Sequence, residues 1–570
     1  MNGLSKQQHS TTLPQAFPIT TTLAAVLVPI LILAGVLRLM SLDFGLPHRY
    51  HIDEPAYVIA ALKIGQGNLQ LNYPPMSPSF QQLIYLALYG VYFLVQLALG
   101  QVNSPQEFAG LYKLDPTPFY LLARGVSVVS SLLAIIFLFL IVRRIRDNVT
   151  ALIAALFLSV SFLDVRHAHF AEPYSLLGLL GLLTTFLALK YFDRGSWKFL
   201  FLSGFVSGMA IGIRFSLATL TIIPLLAVGY RCFALTPRCR PVLLFARLGL
   251  LAASLSLGFL VGVPGFLVNF QNTLTSLRNQ TSLATGTDGF LGMVFSTLPS
   301  WKFYALMFEI AWGIPILIVL IFGLARFVWR HEPEETLFAV FPVTYLAVLF
   351  NASAASSAFA RYLIPVLPFL AYLAADGLVW VINWGFRGWS LAPRQLFLAT
   401  ATVILMIIPL LRSIRLDILW RQPDTRTLAL EWIEANIPTG ARLAVQWYGP
   451  PLSTPDNPEP GTTQSYTVTM LYPFSREPER YSLDYYRKNG FDYLIISSHV
   501  YKLPFVDEAL NNARMNFYLD LLASSRLVAE FKPYDGEREP AYIFEQMWGP
   551  IVSLYELDRP GPTIKIFALK

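Results

Sequence analysis

Two adjacent carboxylates, Asp53 and Glu54, lie just beyond the first apolar run, within His48-Arg49-Tyr50-His51-Ile52-Asp53-Glu54-Pro55-Ala56-Tyr57, and Asn72-Tyr73-Pro74-Pro75 follows. A second constellation, Arg166-His167-Ala168-His169-Phe170-Ala171-Glu172-Pro173, repeats the mixture of acid, base and aromatic groups. Near a phosphate-bearing substrate a carboxylate can take the proton of an attacking hydroxyl, while arginine binds the phosphate bidentately and stabilises its charge as it leaves. Candidate clamps are Arg214, in Gly212-Ile213-Arg214-Phe215-Ser216, and Arg361, in Phe359-Ala360-Arg361-Tyr362-Leu363. On spacing alone the first loop also reads as a solvated boundary segment with interfacial tyrosines. His48, His51, His167 and His169, with Asp53, Glu54 and Glu172, could hold zinc or manganese. No tight ligand spacing such as HExxH is present. Hydrogen bonding or proton handling is the better reading, so no metal ligand is assigned and no cofactor is required.

The elements that must carry these residues are set by composition. The 570-residue chain is 55% hydrophobic and only 14% charged, with a mean hydropathy of +0.52, which marks a polytopic membrane protein. Spans of roughly 20 apolar residues are expected near 22–40, 122–142, 149–165, 173–190, 198–213, 215–230, 247–269, 301–323, 335–351, 361–383 and 395–413. The polar segment 1–21 has no small-residue cleavage site after the apolar run that follows, so the first helix reads as retained. Basic clusters at 143–146, 190–198, 231–240, 326–330 and 387–394 share one side if the amino terminus is cytoplasmic and the apolar segment 80–99 lies along the interface. The outer loop 41–121, the loop after Phe162 and the stretch 265–300, a candidate lid, then face outward. Arg214 interrupts the apolar run from Phe199 to Tyr230 and is expected at the tip of a tight hairpin rather than at mid-membrane, which would cost about 3 kcal/mol. Gly204, Gly208 and Gly212 form a double GxxxG for close helix packing. The net charge of +7 follows from loop topology, and nucleic acid is no partner. Cys232 and Cys239 read as reduced thiols.

Residues 414–570 carry charges, prolines and tyrosines without a spanning segment, and are expected to form an extracytoplasmic α/β domain after a transmembrane domain over 22–413. Leu428 to Ile437 has helical periodicity, and Ala441 to Trp447, Tyr493 to Ser497 and Ile564 to Ala568 read as strands. No catalytic motif stands out there.

The acidic pair after the first span, the Tyr73-Pro74-Pro75 turn, Ala123-Arg124 opening the next span and Arg143-Arg144 closing it together resemble the GT-C glycosyltransferases, in particular the protein O-mannosyltransferase and aminoarabinose transferase group. Val165 to Pro173 is similar to that family's second outer-loop motif, and Arg361-Tyr362-Leu363-Ile364-Pro365 to its late Arg-Tyr-x-x-Pro element. The resemblance covers roughly residues 20–415. It implies an inverting enzyme in the plasma (inner) membrane that moves a sugar from a polyprenyl-phosphate donor to a lipid, glycan or protein acceptor on the outer face. Asp53 matches the family's catalytic carboxylate, whereas Glu172 stands where relatives commonly carry Asp. Glu54 and Glu172 would assist Asp53, and Arg166, His167, His169, Arg214, Arg361, Tyr362, Tyr57 and Tyr73 would line the substrate site. The other readings are a transporter of lipid-linked sugars and a non-catalytic receptor or scaffold. A transporter would place ionisable groups near the midplane and show repeated halves, and no convincing repeat is present.

Overall fold

The computed structural model describes residues 21–569 apart from 72–76, 235–239, 286–297, 331, 353–357, 454–458, 461, 463–465, 472–477 and 504–507. Long apolar runs fold as helices because in hydrocarbon the helix satisfies its own backbone polar groups. Among the described residues, eight helices are long and apolar enough to cross a bilayer, or up to ten if each of two bent pairs is one span. The chain is a multi-pass helical membrane protein.

Every span expected from the sequence has a helical counterpart, with differences that matter for the site. Those near 22–40 and 198–213 are the shorter apolar helices Leu23–Leu39 and Trp197–Ile213. The expected span 149–165 is instead Asn148–Ser159 followed by Phe162–Ala168, bent by 58°. At the bend the carbonyls of Leu158 and Ser159 accept from buried Arg38 at 3.3 and 2.9 Å, and Arg38 also pairs with Asp164 at 2.6 Å. The expected span 301–323 is Ser300–Trp312 and Ile314–Arg330, bent by 109°. Between them Gly313 has φ of +77°, a conformation that costs glycine little. Phe80–Ala98, expected along the interface, is itself long and apolar enough to cross. The stretch 265–300 is not simply a loop: it holds the helices Gly265–Val268 and Phe270–Thr285. Asn269 Nδ2 donates to the Leu71 carbonyl at 3.1 Å, which ties this stretch to the first loop.

The double GxxxG lets Trp197–Ile213 lie against Pro241–Gly262 backbone to backbone. A Cβ on Gly208 would stand 2.2 Å from the Leu255 carbonyl oxygen, and one on Gly258 2.0 Å from that of Phe205. Thr117–Ile145 serves as a ruler for the bundle. Arg124 near its start binds Glu54, and Arg144 near its end binds Asp193. The 20-residue separation is about 30 Å at 1.5 Å per residue, the thickness of a hydrocarbon core. Arg146, Glu335, Asp376 and Arg326 extend the far cluster, with Arg146–Asp376 at 3.1 Å and Arg326–Asp376 at 2.8 Å.

The last long helix, Leu391–Trp420, runs past the expected boundary at 413. It continues because Ser413, Leu416, Asp417, Leu419 and Trp420 keep burying one face. Thr425–Asn436 leads into a five-stranded sheet: β1 Arg442–Gln446, β2 Thr467–Leu471, β3 Tyr493–Ser497, β4 Arg526–Phe531 and β5 Ile564–Ala568. The order is β2-β1-β3-β5-β4, with β1 parallel to β2 and β3, and β5 antiparallel to β3 and β4. The three strands expected from sequence form the buried centre. The two unexpected ones, β2 and β4, are the edges, where exposed positions dilute the apolar signal.

Candidate active site

Asp53 caps the first-loop helix Glu54–Gly65 by position only: its side chain makes no capping bond and is left for other partners. Pro55 fixes the helix start, since its missing N–H costs nothing in the first turn. Arg361 Nη1 pairs with Asp53 Oδ2 and with Glu172 Oε1 at 3.0 Å. One guanidinium thus joins carboxylates from the first and second loops. Its plane is held by aromatic faces, 4.5 Å from the Phe359 ring centroid and 5.0 Å from that of Trp548. Trp548 Nε1 also donates to Asp53 Oδ2 at 2.7 Å. No hydrogen bond reaches Asp53 Oδ1 among the described residues.

Burial pushes the Glu172 carboxyl up to about 8, with Asp53 adding to the rise and Arg361 opposing it. Glu172 Oε2 is buried without a hydrogen-bond partner among the described residues, and His167 Nδ1, also unpartnered, stands 3.7 Å away. Such atoms are costly to leave unmade.

Arg214 ends the helix Trp197–Ile213 in extended conformation before a 3-10 turn, so the apolar run breaks at the arginine as the hairpin reading expects. Its Nη2 donates to the Tyr362 hydroxyl at 3.0 Å, and the guanidinium lies 5.7 Å from the Tyr174 ring centroid. Among the described residues it pairs with no carboxylate, which leaves a positive charge open to an anion. Tyr57, part-buried on the first-loop helix, is within electrostatic reach of Tyr174, Arg214, Glu172 and Asp53, and burial pushes its hydroxyl well above the usual range. Asp53, Glu172, Arg361, Arg214, Tyr362, Tyr57 and His167 are therefore brought together. Tyr73 lies outside the described residues.

Three other expected site residues serve elsewhere. Glu54 is wholly buried and meets Arg124 in a fork, Nε to Oε1 at 2.8 Å and Nη2 to Oε2 at 2.7 Å, while Oε1 also accepts from the Ala171 amide at 2.7 Å. With both oxygens engaged it locks the first loop to the second, so it is a clamp and not a reacting group. Arg166, fully buried, donates to the carbonyls of Glu545 and Gly549, each at 3.1 Å, and its guanidinium faces the Glu545 carboxylate at 3.4 Å. It anchors the C-terminal domain. Both nitrogens of His169 face backbone carbonyls, Val165 and Met40, each at 2.8 Å, leaving none for a substrate. No group of three or more His, Cys, Asp or Glu side chains among the described residues is arranged to hold a metal ion.

The sequence reading missed Trp548 and Glu545, which come from the 3-10 turn Phe544–Trp548. Glu545 Oε2 accepts from the Ala360 amide at 3.2 Å, next to Arg361. Nothing local in the C-terminal sequence marks either residue.

A family model described as dolichyl-phosphate-mannose-protein mannosyltransferase matches residues 121–264, a stretch that contains Glu172 and Arg214 but neither Asp53 nor Arg361. No curated protein matches the sequence. Among solved structures, the apo oligosaccharyltransferase of Archaeoglobus fulgidus is similar over 96% of this chain and 88% of its own, at 12% identity and a TM-score of 0.50. Apo ArnT from Cupriavidus metallidurans is similar over 96% of this chain and 98% of its own, at 14% identity and a TM-score of 0.50. The chain is thus a multi-pass membrane protein with the GT-C fold, the architecture of these membrane glycosyltransferases.

Proposed function

We propose that the protein transfers a sugar from a polyprenyl-phosphate carrier to an acceptor hydroxyl at the outer face of the inner membrane, with inversion at the anomeric carbon. The observation that carries this reading is Arg361 joining Asp53 to Glu172, with the unpaired cation of Arg214 one tyrosine away. The matching family model, whose description names a lipid-phosphate sugar, supports the donor class. The positive-inside rule applied to the far cluster of arginines supports an outward site.

In this reaction the acceptor oxygen forms a bond to the anomeric carbon as the bond from that carbon to the phosphate oxygen breaks. The electron pair leaves with polyprenyl phosphate, and the acceptor proton passes to Asp53. Arg361 and Trp548 hold Oδ2, so Oδ1 is the oxygen that takes the proton. A single displacement inverts the centre. Phosphate departs toward Arg214, whose guanidinium meets the growing negative charge, so no general acid is needed. Glu172, protonated below about 8, adds no second negative charge beside the donor. No step calls for a metal, and turnover is expected to persist in EDTA.

The test is the purified full-length protein in vesicles loaded with a radiolabelled undecaprenyl-phosphate sugar. Cleavage of the donor without net movement of the intact lipid is the expected result. Movement of the lipid-linked sugar between leaflets without cleavage would overturn the proposal in favour of transport.

A further inference from the structure

His169 stands between two backbone carbonyls, with Nδ1 2.8 Å from the Val165 oxygen and Nε2 2.8 Å from the Met40 oxygen. A carbonyl oxygen only accepts, whereas a neutral imidazole carries one N–H and one lone pair. In either neutral tautomer a lone pair would press against one of the two oxygens, so only the doubly protonated ring serves both. The counter-charge is at hand. Asp417 Oδ1 lies 3.5 Å from Nε2, Asp417 is wholly buried, and neither of its carboxylate oxygens has a hydrogen-bond partner among the described residues.

Charge balance points the same way. The buried guanidiniums of Arg124 and Arg38 stand within electrostatic reach of His169, and each already has its own acid, Glu54 at 2.7 Å and Asp164 at 2.6 Å. Asp417 is the acid left over, and Arg421, another cation near it, is exposed to solvent. A lone buried carboxylate is costly, so a proton must be bound by Asp417 or by the ring, and the two carbonyls put it on the ring. Burial favours the neutral imidazole against the pull of those carbonyls, and Arg124 and Arg38 add to burial. An ionised carboxylate beside the ring tips the balance to the charged form.

We infer that His169 and Asp417 form a buried imidazolium–carboxylate pair, and that His169 is thereby a positioning residue of the site. Met40 follows the first helix and opens the loop that carries Asp53, while His169 precedes Glu172 in the second loop. Asp417 belongs to the last long helix, and its own carbonyl accepts from Ser41 Oγ at 2.8 Å. The charged ring thus pins the roots of both acid-bearing loops to one helix. Its part in turnover rests on the transferase reading above, whereas its protonation does not.

The experiment is nitrogen solid-state NMR of the full-length protein, isotope-labelled at histidine, in phospholipid vesicles at about pH 8, where a solvated histidine is neutral. Burial holds His48, His51, His167 and His499 neutral as well. One ring with both nitrogens protonated is therefore expected, and it is expected to vanish in Asp417→Asn, which keeps the shape and removes the charge. A spectrum of the unaltered protein without an imidazolium, or an imidazolium that survives in Asp417→Asn, overturns the pair. In transfer assays Asp417→Asn is expected to lower kcat about 10²-fold, the cost of a displacement of about 1 Å, and to leave the donor KM unchanged. A kcat equal to that of the unaltered protein overturns the positioning role. Absence of transfer by the unaltered protein would instead remove the transferase reading, since the spectrum is read without the donor.

Discussion

Glu172 shares the Arg361 guanidinium with Asp53, and burial raises its carboxyl to about 8. Below that pH it is neutral and Arg361 balances Asp53 alone. Above it, a second negative charge stands where the proposed phosphate donor would approach. Transfer is therefore expected to fall as pH rises through about 8, and Glu172→Gln to abolish that alkaline limb in a pH–rate profile. A limb unchanged in the variant would assign it to another group. Glu54 makes the opposite kind of claim. Removing one partner of a buried ion pair costs about 3–5 kcal/mol, so Glu54→Gln is expected to lower stability by that order, seen as an earlier thermal transition in detergent. An unchanged transition would remove Glu54 as the clamp between the loops. Asp53 was legible in the sequence because an acid beside an apolar run has little packing reason to be there. The division of labour between it and Glu54 was not, since adjacent residues at a helix start point in different directions and only the fold selects which one meets Arg124.

At the scale of elements, breaks in helices build the site. The bend before Phe162–Ala168 turns the second loop inward, and the interruption at Arg214 delivers its guanidinium to Tyr362. The Arg214 break could be read from sequence, because an arginine in an apolar run is expensive at mid-membrane. The 58° and 109° bends were not read from the apolar runs: at the first the Leu158 and Ser159 carbonyls meet distant Arg38, and at the second Gly313 and Pro315 are a local break signal inside a run long enough for one span. The turn Phe544–Trp548 was equally hidden, since Trp548 meets Asp53 across 495 residues. Trp548→Phe keeps the aromatic packing and removes the N–H. Loss of a hydrogen bond to a charged group is worth about 1.5–3 kcal/mol, so the turnover rate is expected to drop about tenfold or more in steady-state assays of transfer. A rate equal to that of the unaltered protein would reduce Trp548 to packing.

The molecule as a whole is a helical bundle with two ionic ends, one bilayer thickness apart, and an α/β domain that reaches back into one of them. Composition announced the bundle, and the central strands announced the domain. Their union at Asp53 was not legible, because it depends on Arg166 holding Glu545 and Gly549 so that Trp548 can reach the carboxylate. The central claim concerns that carboxylate as the base for sugar transfer. General-base catalysis contributes about 10²–10⁴-fold. The most direct measurement is the rate of transfer from a polyprenyl-phosphate sugar by Asp53→Asn protein shown to be folded in detergent: a fall of about 10²–10⁴-fold is expected, and near-normal transfer would contradict the account.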